Sequence, residues 1–224
     1  MRRAVILLAT VIVISTGSTT GGAAAPSRAQ QATPTSDKDV PAAEECLVTP
    51  RTANQVASAL GTPAVVEATP LAPSVASEAA LPQGTATDAA TTEAVAKTAR
   101  EFLACVNAGD NFRSLALVSD TFLRRQLGGA IPTSDQLAAL RSQLEGAAAA
   151  SPVPLARDKQ GALVEVRDAR MLPDGRVGAV VVVDSAVGAP SQESALFLFS
   201  KGGTRWLVDE IIVVKPDAEA TPAS

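Results

Sequence analysis

Hydrophobic and polar positions alternate most clearly between Leu163 and Val214. Four segments there carry β-branched and aromatic residues at a period of two, the spacing of a pleated strand. They read ALVEVRDARML, DGRVGAVVVVDS, ESALFLFSK and TRWLVDEIIVV. Pro173-Asp174-Gly175 separates the first pair and Gly202-Gly203 the last, while the loop around Gly188-Ala189-Pro190 joins the middle two. Pro presets one φ and Gly accepts a positive one, so these are turns. Parallel strands would need crossover helices, and none is present between the segments. The pattern predicts an antiparallel meander of four strands.

Upstream the period changes to that of a helix. Val95, Ala99, Phe102, Leu103 and Val106 form one apolar stripe, and Asp88 stands where it can cap the first turn. Asn107-Ala108-Gly109-Asp110 stops that helix, and Asp110 caps the next, Phe112 to Val118. Ser119-Asp120 restarts a turn that buries Phe122, Leu123 and Leu127 and points Arg124 and Arg125 outward, until Gly128-Gly129 ends it. Thr133-Ser134-Asp135-Gln136 is a capping box for a third amphipathic helix carrying Leu137, Leu140 and Leu144, broken by Pro152 and Pro154. A short helix is also predicted from Thr52 to Leu60, closed by Gly61. The fold class is α+β, with N-terminal helices packed on a curved antiparallel sheet of four strands or more.

Counting faces along the strands sharpens this picture. In the first strand Val164 and Val166 share one face, Glu165 and Arg167 the other. The later strands are apolar on both sides: Val181 and Val183 against Val180 and Val182, Phe197 and Phe199 against Leu196 and Leu198. In the last strand Trp206, Val208, Ile212 and Val214 fall with Glu210, and Leu207, Ile211 and Val213 with Asp209. An antiparallel sheet usually keeps one wet face. Here both want cover. The helices cover one; a second copy of the sheet, giving a homodimer, or the Pro-rich N-terminal segment covers the other.

The start of the chain reads as an export signal. Met1-Arg2-Arg3 precedes the apolar run Ala4 to Ile14, shorter than the ~20 residues of a membrane span, and small residues follow. Cleavage is expected after Ala29, placing the protein outside the cytoplasm, secreted or in the cell envelope, with no membrane attachment once the signal is cut. An uncleaved signal would instead serve as an anchor. The remaining divisions are a flexible tether at 30–45, a Pro/Ala-rich extension with the short helix at 46–87, the α+β domain at 88–214 and a disordered tail at 215–224. Loss of Arg2, Arg3 and Arg28 takes Lys+Arg from 19 to 16 against 23 Asp+Glu, a net charge near −7 (16 − 23). With no basic cluster, nucleic acid is excluded as a partner. In an oxidising compartment the two cysteines, Cys46 and Cys105, are expected to pair, tying an N-terminal segment to the flank of the first long helix.

Phe102-Leu103-Ala104-Cys105-Val106-Asn107-Ala108-Gly109-Asp110 and the strand opening Trp206-Leu207-Val208-Asp209 carry a resemblance. Together with helices first and sheet last, they resemble the nuclear-transport-factor-2-like superfamily over Asp88 to Val214. That resemblance implies a cone-shaped α+β fold with a cavity between helices and sheet, in a superfamily of enzymes, binding domains and proteins of unknown role. The early strand between the second and third helices, usual in the superfamily, has no counterpart here.

An isomerase-like site in such a cavity needs a general base and oxyanion donors. The chain has no His and no Tyr. Carboxylates remain as candidates: Asp209 and Glu210 foremost, then Asp110 and Asp120 at helix-cap positions and Asp168 between Arg167 and Arg170. Metal-ligand spacing and phosphate-binding glycine loops are absent, so no cofactor is implied. Three functions follow as expectations: a secreted non-catalytic domain that binds a small apolar ligand or protein partner, or dimerises; an isomerase-, cyclase- or dehydratase-type enzyme using Asp209 or Glu210; and a membrane-tethered envelope interaction domain.

Overall fold

A computed structural model of the chain describes residues 39–61, 75–77, 84–126, 132–185 and 191–215. The expected signal, most of the tether, Leu127 with the Gly128-Gly129 stop, the loop around Gly188 and nearly all of the tail lie outside the described residues. In chain order the elements are α1 (Ala53–Gly61), β1 (Val75–Ser77), β2 (Thr85–Ala86), α2 (Ala89–Asn107), α3 (Asn111–Ala116), α4 (Asp120–Gln126), α5 (Ser134–Ala148), β3 (Gly161–Met171), β4 (Val177–Ser185), β5 (Ser191–Gly202) and β6 (Arg205–Lys215).

Helices packed on an antiparallel sheet make this an α+β fold. The strands β3 to β6 form the predicted meander. Two short strands extend it: β2 pairs antiparallel with β3 at one edge, and β1 pairs parallel with β6 at the other. The sheet order is β1-β6-β5-β4-β3-β2. Helix starts follow their caps. The Asp88 carboxylate accepts from the Thr91 N–H, that of Asp110 from Arg113, and the Thr133–Gln136 box is closed in both directions. Gly109 has φ 66°, and a side chain there would collide with the Val153 carbonyl, so glycine is required at this chain reversal.

The main core lies between the helices and one sheet face. Val56 and Leu60 of α1, Val95 and Ala99 of α2 and Phe122 of α4 meet Val177, Val181, Phe199, Trp206 and Val208. Strand alternation is interrupted within the meander. The β3–β4 register shifts at Leu163/Glu165 and at Arg167/Arg170, and the β5–β6 register shifts at Leu198/Phe199. Each extra residue reverses the faces that follow it. Leu163 and Val166, not Val164 and Val166, pack on the core, and Val164 is exposed. In β6, Trp206 and Val208 keep their predicted face, but Ile211 joins them, while Ile212 and Val214 turn to a second cluster with Leu172, Leu196 and Leu198. The second face is apolar as expected, yet Val180, Leu196 and Leu198 are only 2–3% exposed in the single chain. A second copy of the sheet is therefore not required to cover it.

Residues Asp39–Glu45, placed in the tether by composition, are fastened to the domain instead. The Asp39 carbonyl accepts the Leu163 N–H at the open edge of β3. Arg100 on α2 holds both the Asp39 and the Glu45 carboxylates. Asn107 donates to the Pro41 carbonyl and exchanges two hydrogen bonds with the Gly161 backbone. Cys46 and Cys105 form the expected disulfide, with Cα atoms 4.8 Å apart and both side chains buried. The domain boundary thus falls at or before Asp39, within a compact unit running from Asp39.

Hydrogen bonds from Arg100 hold the Asp39 and Glu45 carboxyls below their ordinary values of 3.8 and 4.5. A carboxylate with a lowered folded-state pKa contributes stability above its unfolded value and loses it as pH falls through the folded one. The pair is largely exposed, so the effect is local and small. Amide exchange at Leu163, corrected for intrinsic rate, is expected to accelerate as pH falls from about 4.5 to about 2. The acid response should vanish in Arg100→Gln; a response unchanged in that variant would show that other groups hold the arm.

Candidate functional site

Strict alternation predicts Asp209 and Glu210 on opposite faces. The β5–β6 bulge instead makes Asp209 the extra residue: Phe199 pairs with Val208 and Leu198 with Glu210. Both carboxylates consequently reach one guanidinium nitrogen, Arg176 Nη1, at 3.1 Å and 3.4 Å. Asp209 is buried, and its Oδ1 accepts the Ser119 hydroxyl at 2.5 Å and lies 3.5 Å from the Ser200 hydroxyl. Glu210 takes a second partner, Arg125, at 2.9 Å. Arg176 in turn holds Asp174 through Nε at 2.7 Å. Burial pushes the Asp174 carboxyl up, but hydrogen bonds from the Arg176 backbone and side chain outweigh it and leave the carboxyl below its ordinary value.

The cluster holds a joint together. Ser119 caps α4, accepting the Phe122 N–H, and its own N–H donates to the Val208 carbonyl. Val208 N–H donates to the Leu117 carbonyl, so the chain before α4 bridges to β6. Asp209 orients the cap hydroxyl, Arg176 neutralises Asp209, and Glu210 draws α4 in through Arg125. A general base needs a lone pair aimed at substrate. The Asp209 oxygens are directed at a hydroxyl and a guanidinium instead. Ser119 beside a carboxylate has the composition of an activated nucleophile, but it is buried and spends its oxygen on the Phe122 amide.

The other candidates resolve into structural roles. Asp110 caps α3 as predicted. Asp120 does not cap α4, a role that falls to Ser119; it pairs with Arg51 at 2.7 Å. Asp168 adopts φ 56° at the second β3 bulge and pairs with Arg167 at 2.9 Å. Arg124 and Arg125 are half-buried rather than outward, Arg124 donating to the Ala59 carbonyl of α1. Sequence reasoning gives no site role to Arg176 or Ser119, which have no signal beyond turn and cap position. It also misses Glu101, buried on α2 with Arg205 at 3.5 Å. Among the described residues no group of three His, Cys, Asp or Glu side chains could hold a metal ion, and no helix is long and apolar enough to cross a membrane.

Two surfaces remain. A shallow open depression of about 540 Å³ is lined by Arg51, Asn54, Gln55, Ser58, Ala59 and Asp120. Its main polar groups are engaged: Arg51 holds Asp120 and the Val118 carbonyl, and Gln55 closes a capping box with Thr52. The second is the helix-side face of the sheet, buried in the main core beneath α1, α2 and α4. Val177, Ala179, Val181, Phe197, Phe199 and Val208 give it a continuous apolar floor. Leu137, Leu140 and Leu144 of α5, each half-buried, pack against the same core cluster, with α5 resting on α1. Comparison with known proteins finds no matching family model, no matching curated protein and no matching solved structure.

Proposed function

We propose that this chain is an exported, non-catalytic α+β domain that binds a small apolar ligand on the helix-side face of its sheet. The observation carrying this reading is that apolar floor, set beside candidate carboxylates spent in ion pairs and caps. Ligand sites are mostly apolar, with few polar groups. The disulfide accords with an oxidising, extracytoplasmic setting. Placement beside the nuclear-transport-factor-2-like proteins belongs to the same reading and rests on Phe102–Asp110 and the Trp206 strand.

Trp206, the single tryptophan, stands in the core on this side of the sheet and reports on this face directly. Titration with N-phenyl-1-naphthylamine, a neutral apolar fluorophore, should quench Trp206 by energy transfer, saturate at one equivalent and be reversed by a long-chain fatty acid. Absence of saturable quenching in the folded protein, up to the solubility limit of the probe, would sink the reading.

A second reading, a protein-binding envelope domain, draws on one observation. Leu47 and Val153 are 81% and 78% exposed. Leu47 follows the disulfide to Cys105 in the last turn of α2, and the Val153 backbone lies against Gly109 just past the end of that helix. A photo-crosslinker at position 153 in cells would yield a discrete adduct suppressed by Leu47→Asp; no adduct, or one that survives that change, excludes it.

A further inference from the structure

Among the described residues, no helical side chain belongs to the apolar cluster on the second face of the sheet. Leu172, Leu196, Leu198, Val214 and Ile212 come from the strands and the turn after β3. Gly178 faces the same group, since a side chain there would meet Leu172, Leu196 and Leu198. Yet Val180 and Leu196, paired across β4 and β5, are as buried as the main core. Strand side chains stand perpendicular to their sheet and are buried only by a second layer laid over them. The two short strands show where that layer comes from. β1 and β2 are consecutive in the chain but occupy opposite edges of the six-stranded sheet. Ser77 pairs with Lys215 at one edge and Thr85 with Met171 at the other. The entry to β2 is fixed closely: a side chain at Gly84 would collide with the Met171 carbonyl, and the Gly84 carbonyl accepts from Arg170 at 3.3 Å. Five strand spacings separate the two edges, about 24 Å. Eight residue steps lead from Ser77 to Thr85 and reach about 28 Å at full extension. Through the strand registers Ser77 stands level with the start of β3 and Thr85 with its end, so the path is diagonal and has no slack. A detour round α1, α2 and α4 on the helix side is out of reach.

We propose that the second sheet face is a docking surface for the chain itself, and that residues 78–83 cross it as a fixed strap with Leu81 as the anchor. Leu81 is midway between Ser77 and Thr85. The midpoint of the diagonal falls between β5 and β4, at the Val180–Leu196 pair and beside Gly178. The sequence suits this path. Ala79 and Ala80 are small enough to approach a sheet closely, and Pro82 holds Leu81 extended. A chain crossing strands cannot join their ladder, and Pro82 has no N–H to leave unpaired there. With the strap in place the face offers no apolar area to a second copy or to a foreign partner. The strap is independent of the ligand-binding reading, which concerns the opposite face.

A diazirine-bearing leucine analogue at position 81 of the disulfide-intact protein tests the contact. Irradiation in dilute solution should give an adduct within one chain, mapped by mass spectrometry to peptides carrying 178–180 or 196–198. An adduct joining two chains overturns the proposal and makes a second copy the cover. Adducts with water alone, or with the helices, overturn it outright. Stability gives a second measure that needs no crosslink. Leu81→Ala and Leu196→Ala should each lower the urea midpoint by about 1 M, as loss of a buried leucine does. Side chains in contact do not add, so the double variant should fall short of the summed shifts by about a third or more. An unchanged midpoint in Leu81→Ala, or shifts that add in full, would show that Leu81 does not sit on this face.

Discussion

Replacing Cys46 and Cys105 together by alanine is expected to lower the free energy of unfolding by about 4 kcal/mol. The bridge spans a sequence separation of 59 residues. Loop closure of that length, treated as lost entropy of the unfolded chain, gives about 4 kcal/mol at 25 °C. The native state should survive the change, because the arm keeps Arg100, Asn107 and the Arg51 bonds to Asp120 and the Val118 carbonyl. The effect therefore acts mainly through the unfolded ensemble, with a smaller addition from the buried sulfur volume, since both cysteines are 2% exposed or less. A domain of this size has roughly 5–15 kcal/mol in total, so the variant would lose a large share of it. In urea the midpoint should fall by about 2 M, with a steeper slope because the unfolded chain, freed of the bridge, exposes more surface. Reduction of the natural protein should give the same midpoint. A drop of less than about 1 kcal/mol would mean that the unfolded chain keeps the two segments together without the bond. The arm cannot simply lift off to avoid the loss. It leads into α1, whose Val56 and Leu60 are buried in the main core.

The pairing of Cys46 with Cys105 was legible because a helical stripe locates residue 105 and compartment chemistry supplies the partner. Helix starts were legible for a similar reason: a cap is a local hydrogen bond, made by residues three apart. The exception is instructive. Ser119 and Asp120 are both good caps, and only the demand of Asp209 for a hydroxyl donor distinguishes them. Strand positions were also legible, but strand faces were not. A bulge adds one residue to one strand, and nothing in RWLVDEIIVV marks which residue is extra. Counting by twos through Asp209 therefore put Ile211 on the wrong side and separated two carboxylates that share one arginine. Asp168 is the partial exception, since Asp tolerates the left-handed backbone that its bulge imposes. Arg176 was invisible for another reason. It is one residue past a turn, a position that alternation treats as surface, and its role depends on where β6 bulges. The ordered arm at Asp39–Glu45 shows the limit of composition: Pro, Ala and Glu describe a tether until an arginine from α2 supplies the binding energy.

Asp209→Ala should destabilise the protein by about 3 kcal/mol, next in size after loss of the disulfide. It removes a carboxylate from two buried or half-buried partners and leaves the Ser119 hydroxyl and part of the Arg176 guanidinium without an acceptor. Asp209→Asn is nearly isosteric and keeps an oxygen for Ser119, so its cost should be smaller, about 1–2 kcal/mol, mostly from the lost charge opposite Arg176. Glu210→Gln should cost less again, because Glu210 is less buried than Asp209 and Arg176 retains Asp174 and Asp209. This order of loss, with D209A the largest, D209N next and E210Q the smallest, distinguishes a joint from a catalytic base. A base placed for proton transfer is commonly strained or poorly solvated, and neutralising it tends to spare or raise stability while abolishing turnover. Urea midpoints of the three variants give the order directly. The carboxylates lie in the bulge network and not on the apolar floor, so probe affinity measured below each midpoint should stay within about twofold of the parent, less than about 0.5 kcal/mol by the usual conversion. Asp209→Asn at full stability would mean that Asp209 does not hold the joint, and its carboxylate would again be a group free to act.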